Sequence, residues 1–372
     1  VLLSIKTKLK LTSAEKQLMS KHAGIARFTY NWGLATWQNL YQDGLKPNKY
    51  ILKKFFNNHV KPELSWIKEK GICQKITQYA FDQLGNAFDR FFQGLGDYPN
   101  FKKKFQHDSF TVDAGGKPIP VGGVRTKLPT IGWIRTFEGL PNVTTSKITI
   151  SRIADDWYLS FAYEQPEQIS IKEHKVVGVD LGIKTLATLS TGVVFENPKH
   201  YYQEAAKLKR LQKQLSRKEK GAGRVTRLAS NRRFKARMKV ARQHNRIANL
   251  RNNTLHHVTT FLSKNHAKVV IEDLNVSGMM ALHKLAKAIA DCGFHEFRRQ
   301  LEYKCQKFGS KLTIISRWYP SSKTCSSCGN IQDMPLKKRT YDCNSCGISI
   351  DRDLNASLNI AGRVTRAASR LA

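Results

Sequence analysis

Lys175-Val176-Val177-Gly178-Val179-Asp180 is an apolar run that ends on a carboxylate. Such a run fits a central strand covered on both faces, where an acid has no ordinary place. Lys268-Val269-Val270-Ile271-Glu272 repeats the pattern. Around these two, Thr185–Ser190 and Val193–Glu196 read as a hairpin joined by Thr191-Gly192, and Lys311-Leu-Thr-Ile-Ile-Ser as a further strand. Helical spacing covers 283–308, and a last helix opens at about Asp353. Strands that alternate with helices in this way predict an α/β domain with a parallel centre.

Toward the N-terminus the pattern differs. Residues 4–10 read as a strand, and Thr12-Ser13-Ala14-Glu15 as a capped helix start. Helical spacing then runs to about Phe92, broken near Gly44–Pro47 and Pro62. Gly94–Lys104 is a basic connection, after which short alternating runs fill 108–165, Ser146–Ser151 and Trp157–Tyr163 among them. The expectation is an α+β multidomain chain whose N-terminal β-barrel is interrupted by a helical lobe.

Charge narrows the function. Sixty-three Lys and Arg stand against 28 acids, a formal net charge of +35. That excess repels itself unless a polyanion neutralises it, and phosphate contacts gain from counterion release. No apolar run approaches the roughly 18 residues that span a bilayer. The alternating start lacks the apolar centre of a signal peptide, so an intracellular setting with reduced thiols is expected.

Acids are scarce, yet Asp180 and Glu272 end core strands and Asp353 opens a helix. Buried carboxylates are costly unless paired or metal-bound. Carboxylate oxygens suit Mg²⁺, and two such ions about 3.5–4 Å apart serve phosphodiester hydrolysis. Singly, each acid is explained by a turn at Gly182, a Lys partner or a helix cap; together, in a basic chain, they point to a nuclease. Asp351 is a second candidate for the third place, and Asp273 reads as a solvated neighbour.

Three segments carry a family resemblance: Gly178-Val-Asp-Leu-Gly-Ile-Lys, Ile271-Glu-Asp-Leu-Asn and Asp351-Arg-Asp-Leu-Asn-Ala-Ser-Leu-Asn-Ile. They resemble the split nuclease segments of TnpB proteins, transposon-encoded relatives of type V CRISPR effectors. Arg27-Phe-Thr-Tyr-Asn-Trp, Pro99-Asn-Phe-Lys-Lys-Lys and Trp318-Tyr-Pro-Ser-Ser-Lys-Thr-Cys extend the likeness over essentially the whole chain. Ser357 departs from it, standing where the family often has Ala. The resemblance implies an RNase H-like RuvC domain and an RNA-guided DNA endonuclease with a guide RNA and a double-stranded DNA target as partners. It also implies catalytic Mg²⁺ or Mn²⁺ at Asp180, Glu272 and Asp353, with Asp353 chosen over Asp351 because it lies two residues before the Asn-Ala pair. A prokaryotic cytoplasm, with activity at the nucleoid, is the implied location; no oligomeric state is implied.

The resulting domain plan has a wedge-type barrel in 1–12 and 100–170 and a helical recognition lobe in 13–99. A RuvC-like domain follows in 171–320 and 350–362, with a zinc-binding insert in 321–349 and a basic tail in 363–372. Cys325-Ser-Ser-Cys328-Gly and Cys343-Asn-Ser-Cys346-Gly, fourteen residues apart, supply four thiolates for one structural, tetrahedral Zn²⁺. Cys73, Cys292 and Cys305 lack such partners and read as packing residues.

Nucleic-acid contacts are expected on the run Lys207–Arg251, with seventeen cations and one acid, Glu219, and a break at Gly221–Gly223. Arg232, Arg233 and Lys235 are candidates there, as are Lys102, Lys103 and Lys104 for phosphates. Gln74, Lys75 and Gln78 are candidate groove readers, and Tyr30, Trp32 and Trp37 either stack on bases or pack a core. Two other functions share the nuclease segments: a guide-independent, structure-specific RuvC-like nuclease, and a guided repressor or transposition accessory protein. The N-terminal lobe argues against the first, and the intact carboxylates against the second.

Overall fold

The computed structural model describes residues 1–168, 170–218, 231–281, 283–335 and 337–368, with 365–368 described by backbone alone. The chain divides into two compact units, Leu2–Glu164 and Gln165–Ala372, Val1 going with the second.

In the first unit β1 (Leu2–Lys10) leads into three helices, α1 (Ser13–Gln42), α2 (Lys49–Phe55) and α3 (Ile76–Phe92). Thr12 caps α1 reciprocally: its hydroxyl accepts from the Glu15 amide at 3.3 Å, and the Glu15 carboxylate accepts from the Thr12 amide at 2.6 Å. The chain then returns as β2 (Ser109–Asp113), β3 (Ile119–Leu128), β4 (Gly132–Thr145), β5 (Lys147–Ile153) and β6 (Asp156–Glu164). The strands form one curled antiparallel sheet in the order β2-β5-β6-β1-β4-β3; β2 and β3 are its end strands, and among the described residues no ladder between them closes the expected barrel. Tyr30 is buried, Trp37 stacks on Phe88 at 4.0 Å, and Trp32 packs on Phe56 at 4.9 Å. All three aromatics therefore hold the helices together. Cys73 is buried beside them.

The second unit is built on a mixed sheet. β7 (His174–Leu181), β8 (Thr185–Leu189) and β9 (Val194–Glu196) form an antiparallel meander. Helices α4 (His200–Ser216) and α5 (Asn231–Asn265) follow, then β10 (His266–Glu272), α6 (Val276–Met280), α7 (Ala286–Cys292), α8 (Phe294–Phe308) and β11 (Lys311–Ile315). β7, β10 and β11 run parallel, giving the order β11-β10-β7-β8-β9. A short ladder of β12 (Thr340–Asp342) and β13 (Ser349–Asp351) precedes the last helix, α9 (Arg352–Ala368).

Strand alternation divides the apolar runs between two cores. Val177, Val179, Val269 and Ile271 pack with Leu255 and Leu262 of α5 and Phe297 and Leu301 of α8. Val270 and Ile315 pack on Ile360 of α9, with Val176 beside them. Cys292 and Cys305 are buried in the first of these cores.

Two further expectations change. The helical spacing over 283–308 is two helices, because Gly293 adopts φ +66 and ends α7. The expected tail is helical through Ala368, since Val364 still packs beside Ile360. Gly221–Gly223 and Glu219 lie outside the described residues. Among those described, no helix is long and apolar enough to cross a membrane.

Candidate active site

Register brings the first two acids together. Val179 and Ile271 are partners in the parallel ladder of β7 and β10, and Asp180 and Glu272 are the next residues of each strand. They therefore project from the same sheet face, the face that also carries Gly178 and Val270. Helix α9 crosses there so closely that a Cβ on Gly178 would stand 2.5 Å from the Ala361 nitrogen and closer still to the Ser357 carbonyl. Only glycine admits this approach. Asp353 lies one turn before Ser357 and so lies over the end of β7.

Electrostatics report the same proximity. Asp180 is pushed up to about 7, first by burial and then by the charges of Asp353 and Glu272, with Arg352 opposing. Burial also raises Glu272, and a hydrogen bond from Ser321 partly offsets it. Three carboxylates crowded in this way favour a bound cation. Their oxygens stand wider apart than the cysteine sulfurs: among the described residues, only the cysteine quartet has ligand atoms all within 4.8 Å of one another.

Asp351, whose charge also raises Asp180, caps a helix as well. Its Oδ1 accepts from the amides of Asp353 at 2.9 Å and Leu354 at 3.0 Å, which makes it the cap of α9. Asp273 is not simply solvated. Arg298 donates to it at 2.8 Å and the Arg317 Nε at 3.0 Å, and Arg317 foremost holds its carboxyl below the usual range.

Several residues near the acids carried no sequence signal of their role. Ser321 donates to Glu272 Oε1 at 2.5 Å. Asn359 Nδ2 donates to the carbonyls of Ser321 at 2.8 Å and Thr324 at 2.6 Å, and Asn355 Nδ2 to Thr324 at 2.8 Å. The two asparagines, one turn apart on α9, thus tie the acid-bearing helix to the segment entering the cysteines. The stretch Trp318–Cys325 was the available clue, but nothing in it named Glu272 as its target. Beside Glu272 a cleft of about 300 Å³ is lined by Asn275, Ser277, His295, Arg298 and Arg317.

The cysteines form a compact cluster. Cys325 and Cys346 sulfurs are 3.7 Å apart, and Cys328 and Cys343 sulfurs 3.6 Å. A tetrahedron with bonds of about 2.3 Å has edges near 3.8 Å, so the quartet fits one zinc-like ion and leaves no open position.

Some expected nucleic-acid contacts are partly used internally. Lys102 Nζ donates to Gln83 at 2.7 Å and lies 4.0 Å from the centre of the Tyr30 ring; burial lowers it to about 8. It serves packing, whereas Lys103 and Lys104 are exposed. Gln74 turns its amide onto the Ile67 carbonyl at 2.8 Å, while Lys75 is exposed and Gln78 half-buried. Arg233 donates to the carbonyls of Leu215 at 3.2 Å and Lys218 at 2.9 Å; Arg232 and Lys235 are exposed.

Known proteins share this organisation. Residues 160–283 match a family described as "Probable transposase", residues 294–360 one described as "Cas12f1-like, TNB domain", and residues 1–46 a "Helix-turn-helix domain". A Streptomyces pristinaespiralis protein named "Putative RNA-guided DNA endonuclease" is 34% identical over 362 residues, covering 94% of this chain and 86% of its own. InsQ of Escherichia coli (strain K12), with the same description, is 33% identical over 371 residues, covering 92% and 87%. The chain belongs to the TnpB family. Consistent with TnpB kinship to type V effectors, the fold matches a Cas12f1 chain solved with sgRNA and target DNA: TM-score 0.60, 13% identity, 95% of this chain and 83% of that one. In this TnpB chain the matched "helix-turn-helix" region is β1 followed by one 30-residue helix, α1.

Proposed function

We propose that this protein is an RNA-guided DNA endonuclease whose RuvC-type, RNase H-like core cuts through Asp180, Glu272 and Asp353. The observation that carries the reading is the meeting of these acids at the ends of adjacent parallel strands and under the start of α9. The strand order β11-β10-β7-β8-β9, with its meander on one side and parallel strands on the other, supports an RNase H-like core. The names of the two bacterial relatives support guidance by RNA and DNA as substrate.

Bound Mg²⁺ or Mn²⁺ would supply positive charge at the attacking and leaving oxygens of the phosphodiester. The chain's part is to hold three carboxylates around one small volume, with Ser321 orienting Glu272 and α9 carrying Asp353 over Asp180. The cysteine quartet holds a structural Zn²⁺ that folds residues 321–349 as an insert. The curled sheet acts as the wedge-type barrel, the inserted helices as the recognition lobe, and exposed cations such as Arg232, Lys235, Lys103 and Lys104 meet phosphates. Base pairing by the guide then selects sequence, and a short adjacent duplex motif is read by the protein.

The test is plasmid cutting at near-physiological salt with matched guide, mismatched guide or no RNA. Cutting only with the matched guide, lost in Asp180→Ala, is expected. Equal cutting in all three samples, or preference for a four-way junction without RNA, would favour a structure-specific nuclease. Guided binding without cutting by the intact chain would favour a repressor or accessory protein.

A further inference from the structure

We propose that Trp318 is a stacking site for an unpaired base of the strand being cut, seated beside the carboxylates. The identity of that strand rests on the nuclease reading; the stacking itself rests on the indole's surroundings.

Trp318 is 86% exposed, although indole is among the most costly side chains to leave in water. Among the described residues its ring has no ring or cation partner. The turn that carries it is nevertheless fixed on both sides. Glu272 is paired with Ile315, three residues earlier, and Ser321, three residues later, donates to Glu272 at 2.5 Å. Within the turn the Trp318 amide donates to Ser316 Oγ at 3.3 Å, and Arg317 is held by Asp273. Tyr319 donates to the Asn359 carbonyl at 3.4 Å. Three residues of chain reach at most about 11 Å, so the Trp318 backbone stays within about that distance of the two residues that pair with Glu272.

Charge decides what covers it. The chain carries a net +35, and the cleft beside Glu272 is lined by Arg298 and Arg317, both paired with Asp273. A nucleic acid is therefore favoured over a protein surface. Next to three carboxylates, phosphate is repelled wherever no cation intervenes. Stacking on the neutral face of a base is insensitive to that repulsion and demands an unpaired base, because paired bases already stack on each other. An exposed indole on a fixed turn, next to the residue that holds Glu272, can thus grip a single strand without competing for the carboxylates.

The experiment uses the full guide-loaded protein and a DNA target carrying 2-aminopurine at one position of the cut strand, moved stepwise across the cleavage window. Fluorescence is read before Mg²⁺ is added and cutting rate afterward, for wild type, Trp318→Ala and Trp318→Phe. Quenching is expected at one or two adjacent positions in wild type and Trp318→Phe and is lost in Trp318→Ala. Single-turnover cutting by the alanine variant should slow roughly tenfold, the scale of one base–aromatic stack. Its melting temperature should stay that of wild type, because the ring buries almost nothing. Identical fluorescence profiles in wild type and Trp318→Ala would overturn the proposal. So would failure of Phe to retain the signal, or a parallel fall in melting temperature. If wild type cut nothing, the fluorescence would still decide the role of Trp318, while the nuclease reading alone would fall.

Discussion

Ser321 Oγ donates to Glu272 Oε1 at 2.5 Å, joining residues 49 apart in sequence. The same serine has its carbonyl held by Asn359 of α9 at 2.8 Å, so its position is set independently of the carboxylate. Ser321 is therefore a positioning residue. A hydrogen bond to a charged group contributes about 1.5–3 kcal/mol, so Ser321→Ala should slow single-turnover cutting about ten- to hundredfold and raise the Mg²⁺ concentration needed for half-maximal rate. Ser321→Thr should restore both. An unchanged Mg²⁺ midpoint in the alanine variant would reduce Ser321 to a packing role.

Zinc should be stoichiometric and structural. Its insert has a small apolar core, chiefly Met334 and Tyr341 beside Cys325 and Cys343. Metal binding therefore supplies much of its folding free energy. Metal analysis should find one Zn²⁺ per chain, and Cys325→Ser with Cys346→Ser should abolish it. Hydrogen exchange should then quicken across 321–349. Because Asn355 and Asn359 are bound to Thr324 and Ser321, protection at the start of α9 should also fall. Full protection after both substitutions would sink this account.

These two cases mark how far the sequence could be read. β7 and β10 were legible because unbroken apolar runs have one common use, and acids at their ends stood out against it. The capping box at Thr12 and the paired cysteines were legible because each is a local device with fixed spacing. Ser321 was not: its partner comes from strand pairing across the unit, and a serine in a turn has no periodicity. The internal contacts of Lys102 were illegible for a similar reason, since a triple lysine reads as a phosphate site until Tyr30 is folded beneath its first member. The break at Gly293 was lost because helical spacing survives a single left-handed residue.

The first unit should weaken in mild acid through His22. Its Nδ1 donates to the Leu18 carbonyl at 2.7 Å and its Nε2 accepts from the Cys73 amide at 3.2 Å, with Phe110 stacked at 5.0 Å. This arrangement requires the neutral ring, and burial holds the group below its ordinary value of 6.5. The unfolded chain therefore takes up the proton first as pH falls. Stability from this group is present above about pH 6.5 and declines as pH drops toward the lowered folded value. Protection factors of α1 and β2 amides in the full chain, corrected for the pH dependence of intrinsic exchange, should be lower at pH 5.5 than at pH 7.5. His22→Gln should flatten that difference; an equal slope in the variant would assign it elsewhere.

Asp351 and Asp353 lie two residues apart and should separate cleanly by substitution. Asp351 Oδ1 accepts from the first amides of α9, so Asp351→Ala removes a helix cap worth about 1 kcal/mol. The variant should melt a few degrees earlier yet cut with the wild-type dependence on Mg²⁺, and Asp351→Asn, which keeps the acceptor, should restore the melting temperature. Asp353 makes no comparable cap. Its carboxylate approaches Asp180, and Arg339 stands 3.9 Å away. Asp353→Asn should therefore leave stability unchanged or slightly higher, because it removes like-charge repulsion from a buried neighbour, while it abolishes cutting and spares guided DNA binding. The measurements are thermal unfolding, filter binding of the matched target and single-turnover cutting on the same preparations. Loss of cutting in Asp351→Asn with normal cutting in Asp353→Asn would exchange the two roles and move the third carboxylate to the end of β13.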